Sequence, residues 1–321
     1  GVGFGPYIDI PSVVIVIGGT IAVTAGQFEG SDLKRVSPAL KVAFNEVKVE
    51  PLPELVEKSF YRAADFYGRF IETFPSDKQV AGLLYKKADA HFENGQFDLA
   101  ALDYDKVGYD FKQNKLAQKA AYASIVSYKQ HTDKLTKQDA DKVLLDKWHG
   151  ESVKAMLKFA RVYHNDPRAI AVLTSAAQAM FAINQYDRAI EVASDLINKN
   201  KRLSKNLKKT AYGILAHSYF QKGEYQLAQN NYTAQRKLVK SKSAEYREIS
   251  DQLAASIYKK AEGIQGKGDK QTAITQLLSI KKIAANSKFR VQAQYDAVSL
   301  MLAEKQWKRA ISELKQLQRS F

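Results

Sequence analysis

The side chains best able to do chemistry are few and scattered. The histidines are His91, His131, His149, His164 and His217, and imidazole is the group best suited to acid–base work or metal ligation near neutral pH. None stands in an HExxH motif or in an i, i+4 pair, the spacing that would put two imidazoles on one helix face. There is no Cys, which removes disulfides and thiolate metal sites. Gly266-Lys267-Gly268-Asp269-Lys270 has the glycines and lysines of a phosphate cradle. It lacks the Gly-Lys-Ser/Thr ending and any preceding strand, and a turn between paired helices accounts for it. Asp103 and Asp105 fall at ordinary exposed helix positions. These residues describe neither an enzyme nor a cofactor protein, and no cofactor is expected.

The elements that carry them repeat. In Leu83–Val107, Leu84, Ala88 and Phe92 share one helix face, and Phe97, Ala100, Tyr104 and Val107 share a second. Asn94-Gly95 lies between, where glycine ends a helix cheaply. Neither helix can bury its stripe alone, so the unit must stack on copies of itself. Taking the small residue of the second helix as a ruler gives Ala63, Ala100, Ala155, Ala189, Ala228, Ala273 and Ala310, at steps of 37, 55, 34, 39, 45 and 37 residues. An aromatic precedes by three at Phe97, Tyr186, Tyr225 and Trp307. A large residue follows by four at Tyr67, Tyr104, Phe159, Tyr232, Leu277 and Leu314. Glycine precedes by five at Gly95, Gly223 and Gly268, and Pro75 and Pro167 follow by twelve, where a helix must stop. In the copy around Ala273, Lys270 fills the aromatic column.

Over residues 54–321 this resembles the tetratricopeptide repeat, whose period is about 34 residues. The resemblance implies an all-α fold, a right-handed superhelix of antiparallel helix pairs with a concave and a convex face. It also implies a protein or peptide partner in the concave groove. The residues that project from the first helices, one turn from the packing columns, are Tyr85, Asp89, Gln178, His217, Tyr258, Glu262 and Tyr295. The Lys/Asn set that clamps a C-terminal carboxylate in some chaperone-binding relatives is missing; those columns hold Tyr85, Asp89, Thr174, Gln178, Gly213 and His217. Glu54–Phe74 reads as a lone second-type helix capping the first pair. An insertion over 131–152 accounts for the 55-residue step. Thr136-Lys137-Gln138-Asp139 has the form of a helix start. One extra short helix is expected there, with Leu144, Leu145 and Trp148 packing.

The first residues differ in kind. From Ile10 to Phe28 no side chain is charged, and residues 1–30 read as a hydrophobic segment near the short end of what spans a bilayer. A buried β-strand and turn is the alternative, since Val and Ile dominate. Residues 31–53 read as an amphipathic segment and linker, with Pro51 and Pro53 forcing an extended path. Asp9-Ile10-Pro11-Ser12-Val13-Val14-Ile15-Val16-Ile17-Gly18-Gly19-Thr20 resembles part of a MotA/PomA-type stator subunit of the flagellar motor, kin to TolQ and ExbB. That resemblance covers about 55 residues. It implies a bacterial inner membrane, and the later repeats carry nothing of the ion path. Lys34, Arg35, Lys41 and Lys48 follow the run and no cation precedes it, which orients the repeats to the cytoplasm. A fused frame or an engineered junction would also explain the change near Glu54, and a fragment at both ends is expected.

The formal net charge of +15 is uneven. Residues 201–321 hold 24 Lys and Arg against 9 Asp and Glu. The cations bunch at Lys201, Arg202, Lys205, Lys208 and Lys209, then at Arg236, Lys237, Lys240 and Lys242, and again over 281–290. Cations at helix C-termini complement the macrodipole, but one or two per end suffice. The surplus points to an acidic protein or an anionic membrane surface. Nucleic acid ranks last, because no recognition motif accompanies the charge.

Overall fold

A computed structural model describes residues 52–111, 113–200 and 203–319. The expectations placed on residues 1–51, the membrane run and the stator-like segment among them, lie outside the described residues, as do Lys201 and Arg202. The chain divides into two compact units, 1–59 and 60–321. Of the first, only the start of helix α1 (Leu52–Thr73) is described.

Among the described residues there is no strand, and residues 60–321 are built from helix pairs. The pairs are α2 (Val80–Glu93) with α3 (Phe97–Asp110), α4 (Ala117–Lys137) with α5 (Lys142–Val162), and α6 (Ala169–Ala182) with α7 (Tyr186–Lys199). Then come α8 (Lys205–Gln221) with α9 (Tyr225–Arg236), α10 (Ala244–Gly266) with α11 (Lys270–Ile283), and α12 (Arg290–Ala303) with α13 (Trp307–Gln318). From α2 to α13 each helix packs on the one before and the one after it. This is a solenoid of antiparallel pairs of the tetratricopeptide kind.

Small residues hold the pairs together. Ala100, Ala189, Ala228, Ala273 and Ala310 are fully buried and Ala155 nearly so. The ruler slips once: in α1 the buried alanine is Ala64, and Ala63 is only half-buried. Nor does α1 close the stack as a packed cap. Tyr61, Phe66 and Phe74 stay exposed. The face that α1 turns to α2 and α3 mixes Tyr61 and Ala64 with Asp65, Gly68, Arg69 and Glu72 around a cavity of about 420 Å³, and Ile71 packs on the core of the first pair.

Four of the first helices, α2, α6, α8 and α12, end in the same way. At the α2–α3 turn the Gly95 amide donates to Phe92 O and the Gln96 amide to His91 O, the paired bonds of a Schellman terminus. The bonds recur at Asn184 and Gln185, at Gly223 and Glu224, and at Lys305 and Gln306. All four turn residues have positive φ: 67° at Gly95, 60° at Asn184, 75° at Gly223 and 59° at Lys305. Lys305 has a Cβ in a conformation that suits glycine. Lys305→Gly should therefore raise stability by about 0.5–1 kcal/mol, read as a higher denaturation midpoint. Unchanged or lower stability would contradict the turn geometry. Aromatic residues straddle three of these turns, Phe92 with Phe97, Phe181 with Tyr186 and Phe220 with Tyr225, at centroid distances of 5.1–5.6 Å.

The insertion adds no separate helix. Thr136-Lys137-Gln138-Asp139 is a helix end, with Asp139 at φ 49° and the Ala140 amide donating to Leu135 O. The true cap is Asp141, whose carboxylate accepts from the amides of Val143 and Leu144. The extra residues lengthen α4 and α5 to 21 residues each. Trp148 packs on Tyr128 and His131, 6.0 and 4.2 Å away between centroids. Leu144 is exposed and Leu145 half-buried. The 45-residue step is likewise absorbed by α10, at 23 residues.

Candidate functional site

The residues expected to line the groove form two columns on the first helices, and the stack uses several of them internally. Asp89 accepts a hydrogen bond from the Tyr104 hydroxyl. His217, at the same register, lies 2.8 Å from the Tyr232 hydroxyl through Nδ1. Both partners come from the second helix of the same pair, fifteen residues on. Gln178 and Glu262 occupy the same column, but the facing residues are Ala193 and Leu277, which offer no hydroxyl. Gln178 is consequently exposed, and Glu262 is exposed with an ion pair to Lys259 at 2.8 Å.

The other column bridges neighbouring first helices. Tyr85 is buried, edge-on to Tyr104, with the Lys119 ammonium 5.2 Å from its ring centroid. Tyr258 on α10 donates to Asp296 on α12, and that hydrogen bond, with burial second, raises its hydroxyl to about 12. Tyr295 is 58% exposed. On the first-helix face Gln178, Glu262 and Tyr295 are exposed, while Tyr85, Asp89, His217 and Tyr258 are held mainly by the protein itself.

Burial lowers the affinity of His217 for a proton, so the imidazole is neutral near pH 7 and shares one proton with the Tyr232 hydroxyl across its Nδ1. The sign of the linkage follows. The unfolded chain, with an ordinary histidine near about 6.5, binds the proton more tightly, so stability is lost as pH falls through that value. His131 is lowered by burial as well. Melting between pH 7.5 and 5.5 should show this loss, and His217→Gln should make it smaller. An identical acid loss in both proteins would contradict it.

The cavity beneath α1 holds a second polar group. Asp103 is buried, with Lys87 Nζ at 3.1 Å and His91 Nε2 at 3.7 Å from Oδ2. His91 Nδ1 faces the Gln96 side-chain oxygen at 2.8 Å, an acceptor only, so Nδ1 carries a proton. The expectation that Asp103 is exposed is thus wrong: it sits on the inner face of α3 and neutralises Lys87. Asp105 is bound too, by Lys158 at 2.8 Å. Among the described residues no group of His, Asp and Glu is placed to hold a metal.

Several cations expected to form a basic surface are engaged in the stack. Lys209 pairs with Glu245 at 2.6 Å. Arg236 donates to Ile283 O at 2.7 Å and lies over the Tyr246 ring. Lys205, Lys237, Lys240 and Lys242 are exposed, and Lys208 is half-exposed. Sequence reasoning missed one cluster altogether. Buried Asp166 accepts from the Arg168 side chain and amide and from Gln118 Nε2, at 2.7–2.9 Å. The Arg168 guanidinium holds its carboxyl far below the usual carboxylate range. The Asp-x-Arg spacing beside Pro167 was the available signal.

No family model matches the chain, and no curated protein matches it. Among solved structures, a protein described as a kinesin light chain with nearly identical TPR-like repeats, from Podosopora anserina, is 16% identical, covering 61% of this chain and 93% of that one, at a TM-score of 0.37. BtubC from P. vanneervenii is 14% identical, covering 74% and 92%, at 0.34. A tetratricopeptide repeat protein from Parabacteroides merdae is 11% identical, covering 83% and 92%, at 0.35. At such scores the fold of this chain rests on its own helices. They define an all-α repeat solenoid.

Proposed function

We propose that the chain is a protein-interaction scaffold that takes a polypeptide on the face formed by its first helices. The observation that carries the reading is the half-used column. Asp89 and His217 are satisfied from within, whereas Gln178 and Glu262 stand at equivalent positions facing residues that cannot bond them. Tyr295 adds an exposed aromatic to the same face. An exposed tyrosine supplies contact area at low side-chain entropy cost, which suits peptide recognition. A photo-crosslinker at residue 178 or 295 should capture the partner in native cells, and one at Glu191 or Asn230 on the second helices should not.

A finer form of the reading tethers the scaffold to a bacterial inner membrane through residues 10–28, with the repeats in the cytoplasm. Its alternative is the soluble arm of a stator-like, energy-transducing envelope complex. The uncharged run supports both. Among the described residues no helix is long and apolar enough to cross a membrane, so the tether rests on that run alone. The full chain should then need detergent, while the chain without residues 1–53 should be monodisperse without it. The cationic surplus suits an acidic protein or an anionic membrane surface as a further contact.

A further inference from the structure

We propose that the edge of the solenoid formed by the ends and starts of α7 to α12 binds an extended acidic polypeptide segment; this rests on the scaffold reading and names a second contact for it. In a stack of antiparallel pairs, every second helix ends on the same edge from which the next first helix starts. The three cationic bunches of the sequence fall in those links, so folding gathers them on one edge. The link between α9 and α10 is tied to its neighbours on both sides. Lys209 at the start of α8 reaches Glu245 at the start of α10, and Arg236 reaches Ile283 O at the end of α11. Lys205, Lys208, Lys237, Lys240, Lys242 and Lys282 remain along this edge, with no carboxylate bound to them among the described residues. Two of its acidic groups are paired with cations, Asp195 with Lys199 and Glu245 with Lys209; Asp251, which accepts from the Lys288 backbone amide, and Glu248 keep their charge against the six lysines.

The cap chemistry changes along the same edge. In the first three links the side chain that accepts the amide at the helix start is Asp77, Asn114 or Asp166. In the last three it is Ser204, Ser243 or Ser287. Serine and aspartate cap comparably, but only aspartate adds a negative charge. The serine caps of the later links therefore add no charge against their lysines, and among the described residues Asp251, which accepts the Lys288 amide before α12, is the one carboxylate that takes an amide at these helix starts. A cationic strip across three successive pairs suits a long polyanion better than a compact anion. None of the large exposed aromatics, Tyr61, Phe66, Phe74, Tyr295 and Trp307, lies in these links, so a base-stacking platform for single-stranded nucleic acid is not provided there.

The test is fluorescence anisotropy of a labelled oligoglutamate peptide against the full chain at low and at physiological salt. The triple change Lys205→Glu, Lys208→Glu and Lys242→Glu should weaken binding by on the order of tenfold. Lys267→Glu with Lys305→Glu and Lys308→Glu removes the same charge from the opposite edge and should weaken it less than about twofold. Equal losses from the two triples overturn the proposal, because net charge alone would then explain binding. So does tighter binding of phosphatidylserine vesicles or of a single-stranded oligonucleotide than of the peptide. If the edge triple unfolds by circular dichroism, Lys205→Gln with Lys208→Gln carries the same comparison. Absence of peptide binding at low salt overturns the edge while leaving the first-helix face intact, since that face is judged by crosslinking.

Discussion

Phe159→Ala is expected to destabilise the solenoid by about 3–5 kcal/mol. Phe159 is fully buried on α5, with the rings of Tyr122 and Tyr163 at 5.8 and 5.5 Å and the Arg168 guanidinium at 5.7 Å. It joins α4, α5 and α6, so truncation leaves a cavity at a three-helix junction. Neighbouring side chains are aromatic and cannot collapse into it without leaving their rotamers. Because each pair in a solenoid contacts only its neighbours, the loss should be local first. Hydrogen exchange should accelerate in α4 to α6 before α10 to α13. A loss below about 1 kcal/mol, or uniform acceleration, would show that Phe159 is not a keystone of this junction.

The second large effect is backbone approach. A Cβ on Gly108 would stand 2.8 Å from the N, Cα and Cβ of Ala121, so α3 and α4 could not keep their separation. Gly108→Ala should cost about 1–3 kcal/mol although alanine is the better helix former. Gly213 is an internal control. A Cβ there meets only the Gln235 side chain, at 2.6 Å from Nε2, and that amide can swing aside. Gly213→Ala should therefore be much milder. Ala189→Leu and Ala228→Leu should fall in the same range as Gly108→Ala, since both alanines are fully buried. A neutral Gly108→Ala on the denaturation curve would refute the tight crossing.

What could be read beforehand follows from which features leave a mark in residue type. The alanine ruler was legible because a close helix crossing tolerates little else, and the alanine it marks is buried in each of the six pairs. The positive-φ turn was legible only where it is glycine. Asn184 and Lys305 hold the same conformation, and nothing in a lysine announces it; only its register five residues before Ala310 does. The insertion misled because a Thr-x-x-Asp spacing fits a helix end as well as a start, and longer helices absorb residues without a loop. The groove column was found by register, but register does not say whether a hydroxyl fifteen residues on will claim the group. Tyr104 and Tyr232 do so; Ala193 and Leu277 cannot. The Asp166 cluster left a local trace in Arg168, two residues on, but its other partner, Gln118, is 48 residues away and leaves none.

The most direct measurement of the central reading is site-specific photo-crosslinking of the full chain in native cells, followed by mass spectrometry. Positions 178, 262 and 295 on the first helices are compared with 191 and 230 on the second helices. The first-helix face predicts that one polypeptide partner crosslinks strongly from 178 and 295, more weakly from 262 where Lys259 already engages the carboxylate, and not from 191 or 230. Crosslinks of equal strength from both faces, or from the second helices alone, would contradict it.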